Sequence, residues 1–70
     1  MRLKELRKSL NLTQSKLSQK LNIPQSSYAL YENDKRDIPT PYLISLAKFY
    51  DVSVDYILEL TEIEDPYPQF

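Results

Sequence analysis

The sequence predicts an all-α domain of five short helices. Three observations predict it. Apolar residues recur at the three- and four-residue spacing of a helix face in every segment. No stretch alternates in the two-residue rhythm of a strand, and there is no internal repeat. Helix-start signals precede the apolar runs: Thr13, Ser53, the pair Thr40-Pro41, and Pro24, which can begin a helix but cannot sit inside one.

The elements follow in order. Leu3, Leu6 and Leu10, at i, i+3 and i+7, form the inward face of a first helix. Thr13 is the expected N-cap of a second, with Leu17 and Leu21 as its apolar stripe. Lys16 stands where a capping box would place Glu, so that cap is only half made. A third helix starts at Pro24 and runs to about Glu32. The stretch "NDKRDIP" is rich in turn formers and reads as a loop. Thr40 is the expected N-cap of a fourth helix with Pro41 at its first position and Leu43, Leu46, Ala47 and Tyr50 facing inward. Ser53 caps a short fifth helix carrying Val54, Ile57 and Leu58. The tail "EIEDPYPQF", with two prolines and three acids, reads as extended or mobile. This divides the chain into a domain at 1–60 and an acidic tail at 61–70. The second and third helices are too short to be stable alone, so their use must lie in being packed together.

Seventy residues allow one small domain. The chain has no cysteine and no histidine, which excludes a disulfide framework and an ordinary zinc site and fits a reducing cytoplasm. The opening "MRLKELRKSL" has no signal-peptide pattern, and no apolar run reaches membrane-spanning length. Without a nucleophile–base pair or a glycine-rich phosphate loop, no enzyme, cofactor or small-molecule site is expected. The net charge of −1 hides a polarity: residues 1–36 hold eight bases and three acids, whereas residues 37–70 hold one base and seven acids. Such asymmetry suits a basic face for a polyanion, and equally two solvated halves.

The segments "LKELRKSLNLTQSKLSQKLNIPQSSYALYENDKR" and "LISLAKFYDVSVDYIL" resemble the Cro/repressor-type (XRE-like) helix-turn-helix domains over residues 3–58. The resemblance implies a compact five-helix lambda-repressor-like DNA-binding domain, whose members are mostly dimeric transcription regulators. Where that family favours glycine this chain has Asn11, Asn22, Asp34 and Asp51, so at least two of these are expected in the left-handed conformation that Asn and Asp tolerate next best, unless the loops take another shape. Arg7 and Glu32 match positions that pair the first helix to the end of the third, and Gln14 matches a phosphate-contact position.

On a helical wheel Gln25, Ser26, Ala29 and Leu30 share one arc of the third helix, and Ser27, Tyr28, Tyr31 and Glu32 the other. The tyrosines assign the second arc inward, leaving the first for base edges. Gln25 matches the donor–acceptor pattern of adenine, while Ala29 and Leu30 can touch only apolar groups such as a thymine methyl. Gln14, Lys35, Arg36 and Lys16 are the candidates for phosphate. The expected function is that of a cytoplasmic, sequence-specific regulator of double-stranded DNA, a repressor working as a homodimer. Its dimer contact is expected around Tyr56, Leu60, Tyr67 and Phe70, unless the tail folds back on its own subunit. Leu30, where the family often has a polar or basic residue, and the acidic second half leave room for a rival. That rival is a protein-interaction module on the same fold, such as an antitoxin or an anti-repressor partner.

Overall fold

The computed structural model describes residues 1–66. Its helices are α1 (Leu3–Ser9), α2 (Gln14–Leu21), α3 (Gln25–Glu32), α4 (Thr40–Tyr50) and α5 (Val54–Ile57), and the described residues contain no strand. No helix among them is long and apolar enough to cross a membrane.

All five helices end in the same way. A residue in the left-handed region follows each one: Asn11 (φ 56°), Asn22 (55°), Asp34 (58°), Asp51 (56°) and Glu59 (64°). In every case the next N–H turns back to the carbonyl five residues earlier, as in Leu12 to Arg7 (3.2 Å), Ile23 to Ser18 (3.0 Å) and Val52 to Ala47 (3.0 Å). Lys35 to Leu30 (2.8 Å) and Leu60 to Asp55 (2.9 Å) complete the set. This is the Schellman arrangement, which satisfies carbonyls that a helix end otherwise leaves open. It also reverses the chain sharply, and Ile23 and Val52 are thereby aimed into the core, 3% and 6% exposed. A chain with no glycine achieves this with Asn and Asp at four of the sites. Glu59 is the fifth, and its residue type gives no hint of it.

The starts are less uniform. Thr13 and Ser53 cap α2 and α5, their hydroxyls accepting from Lys16 N (3.1 Å) and Tyr56 N (3.0 Å). Thr40 does not cap α4. Pro39, extended at φ −60° and ψ 141°, takes that position, and Thr40 becomes the first helical residue with no side-chain capping bond. Pro24 likewise stands just outside α3, with Gln25 as the first helical residue.

The core gathers one contribution from each helix. Leu3, Leu17, Tyr28, Leu46 and Ile57 are the largest side chains that are fully buried. At this size no apolar residue is spare, and removing one such Leu side chain costs about 2–5 kcal/mol. Leu10 is not among them. It is 52% exposed, because α1 stops at Ser9 and the turn into Asn11 carries Leu10 outward. The acidic stretch after α5 is also not free chain: Ser53 N donates to Glu64 O at 2.9 Å, and Arg2 reaches across to it. The Arg2 guanidinium lies 4.4 Å from the Tyr56 ring centroid, and its Nε donates to Tyr56 O at 2.9 Å. Its Nη2 donates to Glu62 Oε1 at 3.1 Å.

The left-handed exits make a direct expectation. Asn22→Gly leaves stability unchanged or raises it by up to about 1 kcal/mol, since it removes the Cβ conflict. Asn22→Val lowers it by about 1–2 kcal/mol. Thermal melts read both, because each kcal/mol moves the midpoint of a domain this small by about 4–8 °C. A melt of Asn22→Val that matches the parent chain contradicts the left-handed assignment.

Candidate nucleic-acid interface

α2 and α3 are joined by Asn22, Ile23 and Pro24 alone, so their relative angle is fixed by the left-handed Asn22 and by Ile23 buried beneath the turn. Ser18, 3% exposed, is small enough to let the two helices approach. Tyr28 and Tyr31 hold α3 to the core, 0% and 4% exposed, and Tyr31 leans on Tyr42 of α4 with ring centroids 6.1 Å apart. The opposite edge of α3 is open. Gln25 and Ser26 are exposed, while Ala29 and Leu30 are half-buried without joining the core cluster. Just beyond α3, Lys35 and Arg36 are exposed, and so is Lys16 in the first turn of α2. Gln14, the first residue of α2, is half-buried.

One ion pair holds this arrangement from behind. Arg7 Nε donates to Glu32 Oε2 at 3.0 Å and Nη2 to Oε1 at 2.8 Å, the two-bond geometry in which a guanidinium and a carboxylate match best. The remaining Arg7 Nη1 donates to Leu12 O at 2.7 Å. One side chain therefore ties α1, the loop before α2 and the end of α3. The Glu32 side chain is 1% exposed and that of Arg7 11%. Burial pushes the Glu32 carboxyl up, but hydrogen bonding from Arg7 with help from Tyr28 and Gln14, together with the Arg7 charge, outweighs it and leaves the carboxyl below its ordinary value. The Tyr28 hydroxyl stands near this carboxylate and favours its charge, yet makes no well-aligned hydrogen bond with it. Burial and then Glu32 raise the Tyr28 phenol well above its usual range. The Tyr50 phenol is pushed up to about 12 by burial and then by the Glu32 charge. Both tyrosines stay neutral at pH 7, and Arg7 is the group that balances Glu32.

The Helix-turn-helix family pattern matches residues 3–57, which is most of the chain. The chain belongs to the Helix-turn-helix family. Two proteins of Bacillus subtilis (strain 168) illustrate the family likeness. The uncharacterized HTH-type transcriptional regulator YobD is 49% identical over 65 residues, covering 93% of this chain and 58% of its own. The HTH-type transcriptional regulator ImmR is 42% identical over 62 residues, covering 89% of this chain and 49% of its own. The chain thus spans about half the length of the curated relatives it matches. No solved structure matches it significantly.

Within this helix-turn-helix unit, the residues expected at the base edges fall on one side of α3, and Lys35 and Arg36 lie just past its end. Gln14 stands near Glu32, and its amide favours the carboxylate's charge. Of the residues expected at a dimer contact, Leu60 is open at 72% exposure, Tyr56 is covered on its ring by Arg2, and Tyr67 and Phe70 lie outside the described residues. Sequence reasoning missed Arg2. Its hydrogen-bond partners lie 54 to 60 residues away, and nothing in the local pattern "MRLKE" points to them.

Arg7→Met leaves Glu32 buried without a partner and lowers stability by about 3–5 kcal/mol at pH 7. The sign of the pH dependence follows from the depressed Glu32 value. The pair's contribution is complete above the unfolded carboxyl value of about 4.3 and is lost as pH falls through the lower folded value. In Arg7→Met burial is the dominant influence left, so Glu32 moves upward and protonation relieves the variant. Urea unfolding at stepped pH should show the gap between parent and variant narrowing as the solution becomes acidic. A gap independent of pH contradicts the pairing.

Proposed function

We propose that the domain is a sequence-specific, double-stranded DNA-binding transcription regulator, a repressor acting as a homodimer. In this reading residues 1–60 are the binding unit and residues 61–70 an acidic appendage, and the protein works in the cytoplasm. The observation that carries the reading is the two-sidedness of α3: Tyr28 and Tyr31 are sealed in the core while Gln25 and Ser26 stand open. A short helix held this firmly at its rear, with its front free, is suited to the major groove of B-DNA. The names of the two relatives as transcriptional regulators support the same reading.

The roles divide by chemistry. Gln25 offers an acceptor and donors side by side and pairs with adenine through both. Ser26 bonds to a base edge with little selectivity, and Ala29 and Leu30 meet thymine methyl groups. Gln14, Lys16, Lys35 and Arg36 engage phosphates and set the register. The free N–H groups at the start of α2 add to this anion attraction. One half-site read by so few groups gives little affinity. Two half-sites with centres about one helical turn apart raise it, which is the reason for a homodimer. Of the residues expected at that contact, Leu60 stands open among the described ones. The exposed basic side chains Lys16, Lys35 and Arg36 favour DNA over a purely protein-binding role for this face.

Selection of sites from a random duplex pool gives the cognate sequence. On it Gln25→Ala should cost about 1–3 kcal/mol and relax preference at one base pair. Lys35→Ala should weaken all sequences alike and reduce the salt slope by about one unit. Equal loss on cognate and scrambled duplexes for Gln25→Ala makes it a backbone contact. If neither variant matters and Leu30→Asp abolishes function in cells, the face serves a protein partner instead.

A further inference from the structure

Leu30 is an apolar side chain that the packing does not use. It is half-buried, yet it belongs neither to the core cluster nor to the half-buried apolar side chains packed against that cluster. It shares its arc of α3 with Gln25, Ser26 and Ala29, away from the buried Tyr28 and Tyr31. Its backbone is fixed. Leu30 O accepts from Lys35 N at 2.8 Å in the turn that closes α3, and Ala29 O accepts from Asn33 N at 3.1 Å. One backbone bond therefore ties Leu30 to Lys35, whose exposed side chain is a candidate for phosphate. A phosphate held by Lys35 keeps Leu30 in register with the bases.

The surroundings of Leu30 are polar. The large apolar side chains exposed among the described residues are Leu10, Ile44, Leu60 and Ile63, and none of them lies in α2 or α3. Gln25 and Ser26 before Leu30, and Lys35 and Arg36 after it, are exposed. One leucine in such a setting is too small a patch for a protein interface, which needs contiguous area. It matches a target of about its own size, a methyl group at the edge of a base pair.

The major groove offers one such group. Thymine carries a methyl at C5 beside its O4 acceptor, whereas cytosine has no methyl there and presents its N4 donor. The Leu30 side chain has neither donor nor acceptor, so it cannot tell O4 from N4 and meets only the substituent at C5. Cytosine methylated at C5 presents the same group in the same place. We propose that Leu30 senses the C5 methyl of a pyrimidine, so that the domain reads 5-methylcytosine as it reads thymine and its choice of sites responds to cytosine methylation. The proposal rests on the DNA-reading role of α3. It goes beyond that role, because the methyl group and not the base pair becomes the determinant at this position.

The test uses duplexes that differ by one methyl group. Thymines of the selected cognate duplex are replaced singly by uracil, which removes the methyl and leaves the pairing unchanged. At one position in each half-site the replacement should weaken the parent chain about fourfold, the effect of one buried methyl. The same replacement should leave binding by Leu30→Ala unchanged, and Leu30→Met should keep the dependence. At that position a 5-methylcytosine·guanine pair should bind about fourfold more tightly than cytosine·guanine. Uracil without effect at every position overturns the proposal. So does an effect that Leu30→Ala leaves intact, or a methyl on cytosine that gains nothing. Each of these, with salt-dependent duplex binding retained, leaves the DNA reading standing. Absence of binding to any duplex overturns both.

Discussion

The contact on which the rest of this molecule depends is the Arg7–Glu32 pair. α1 has seven residues and α3 has eight, lengths at which a helix in water is unstable on its own. Arg7 joins them, and its third bond, to Leu12 O, also fixes the loop that leads into α2. A buried ion pair of this kind is weak as a source of net stability compared with apolar packing of the same volume. Its value lies in geometry. The two parallel bonds hold the C-terminal end of α3 against α1 in a directional contact. The buried Tyr28 and Tyr31 are what turn Gln25 and Ser26 out.

The second constraint is how the chain leaves each helix. Five exits use one hydrogen-bond pattern around a left-handed residue. At the α2–α3 joint this pattern turns the chain within Asn22, Ile23 and Pro24 and buries Ile23 beneath the corner. Orientation about the helix axis comes from the buried Tyr28 and Tyr31, attachment of the end of α3 to α1 from the ion pair, and the angle between α2 and α3 from the joint. Together they define a rigid two-helix unit in a chain too small to stabilise it by burial alone.

Much of this was legible because it is local. Thr13 and Ser53 are capping residues next to apolar runs, and they cap. The wheel that put Tyr28 and Tyr31 inside needs only helical periodicity, and both are buried. The left-handed residues at positions 11, 22, 34 and 51 could be placed because the residue types that replace glycine there are the ones that tolerate that conformation. What escaped depends on boundaries or on distance. Leu10 fits the stripe of Leu3 and Leu6 only if α1 runs one turn longer than it does. Thr40 lost its capping role because Pro39 already has the extended backbone of that position. Glu59 is left-handed with a residue type that does not advertise it. The Arg2 contacts join the two ends of the described chain, and no window along the sequence contains both partners.

The charge polarity of the sequence gains a spatial meaning from these contacts. The acids at 59, 62 and 64 are drawn back onto α1 and α5 by the chain's start, Arg2 and Tyr56, while Lys16, Lys35 and Arg36 remain open around α3. In the proposed reading, this is the side that a polyanion would meet. The most direct test is residue-resolved NMR of the isotope-labelled chain titrated with a random-sequence duplex at low and then high salt. The account predicts shifts at Gln14, Lys16, Gln25, Ser26, Lys35 and Arg36 that fade as salt rises, through loss of counterion release. Shifts centred on Leu10, Phe49 and Tyr56, or shifts indifferent to salt, contradict it.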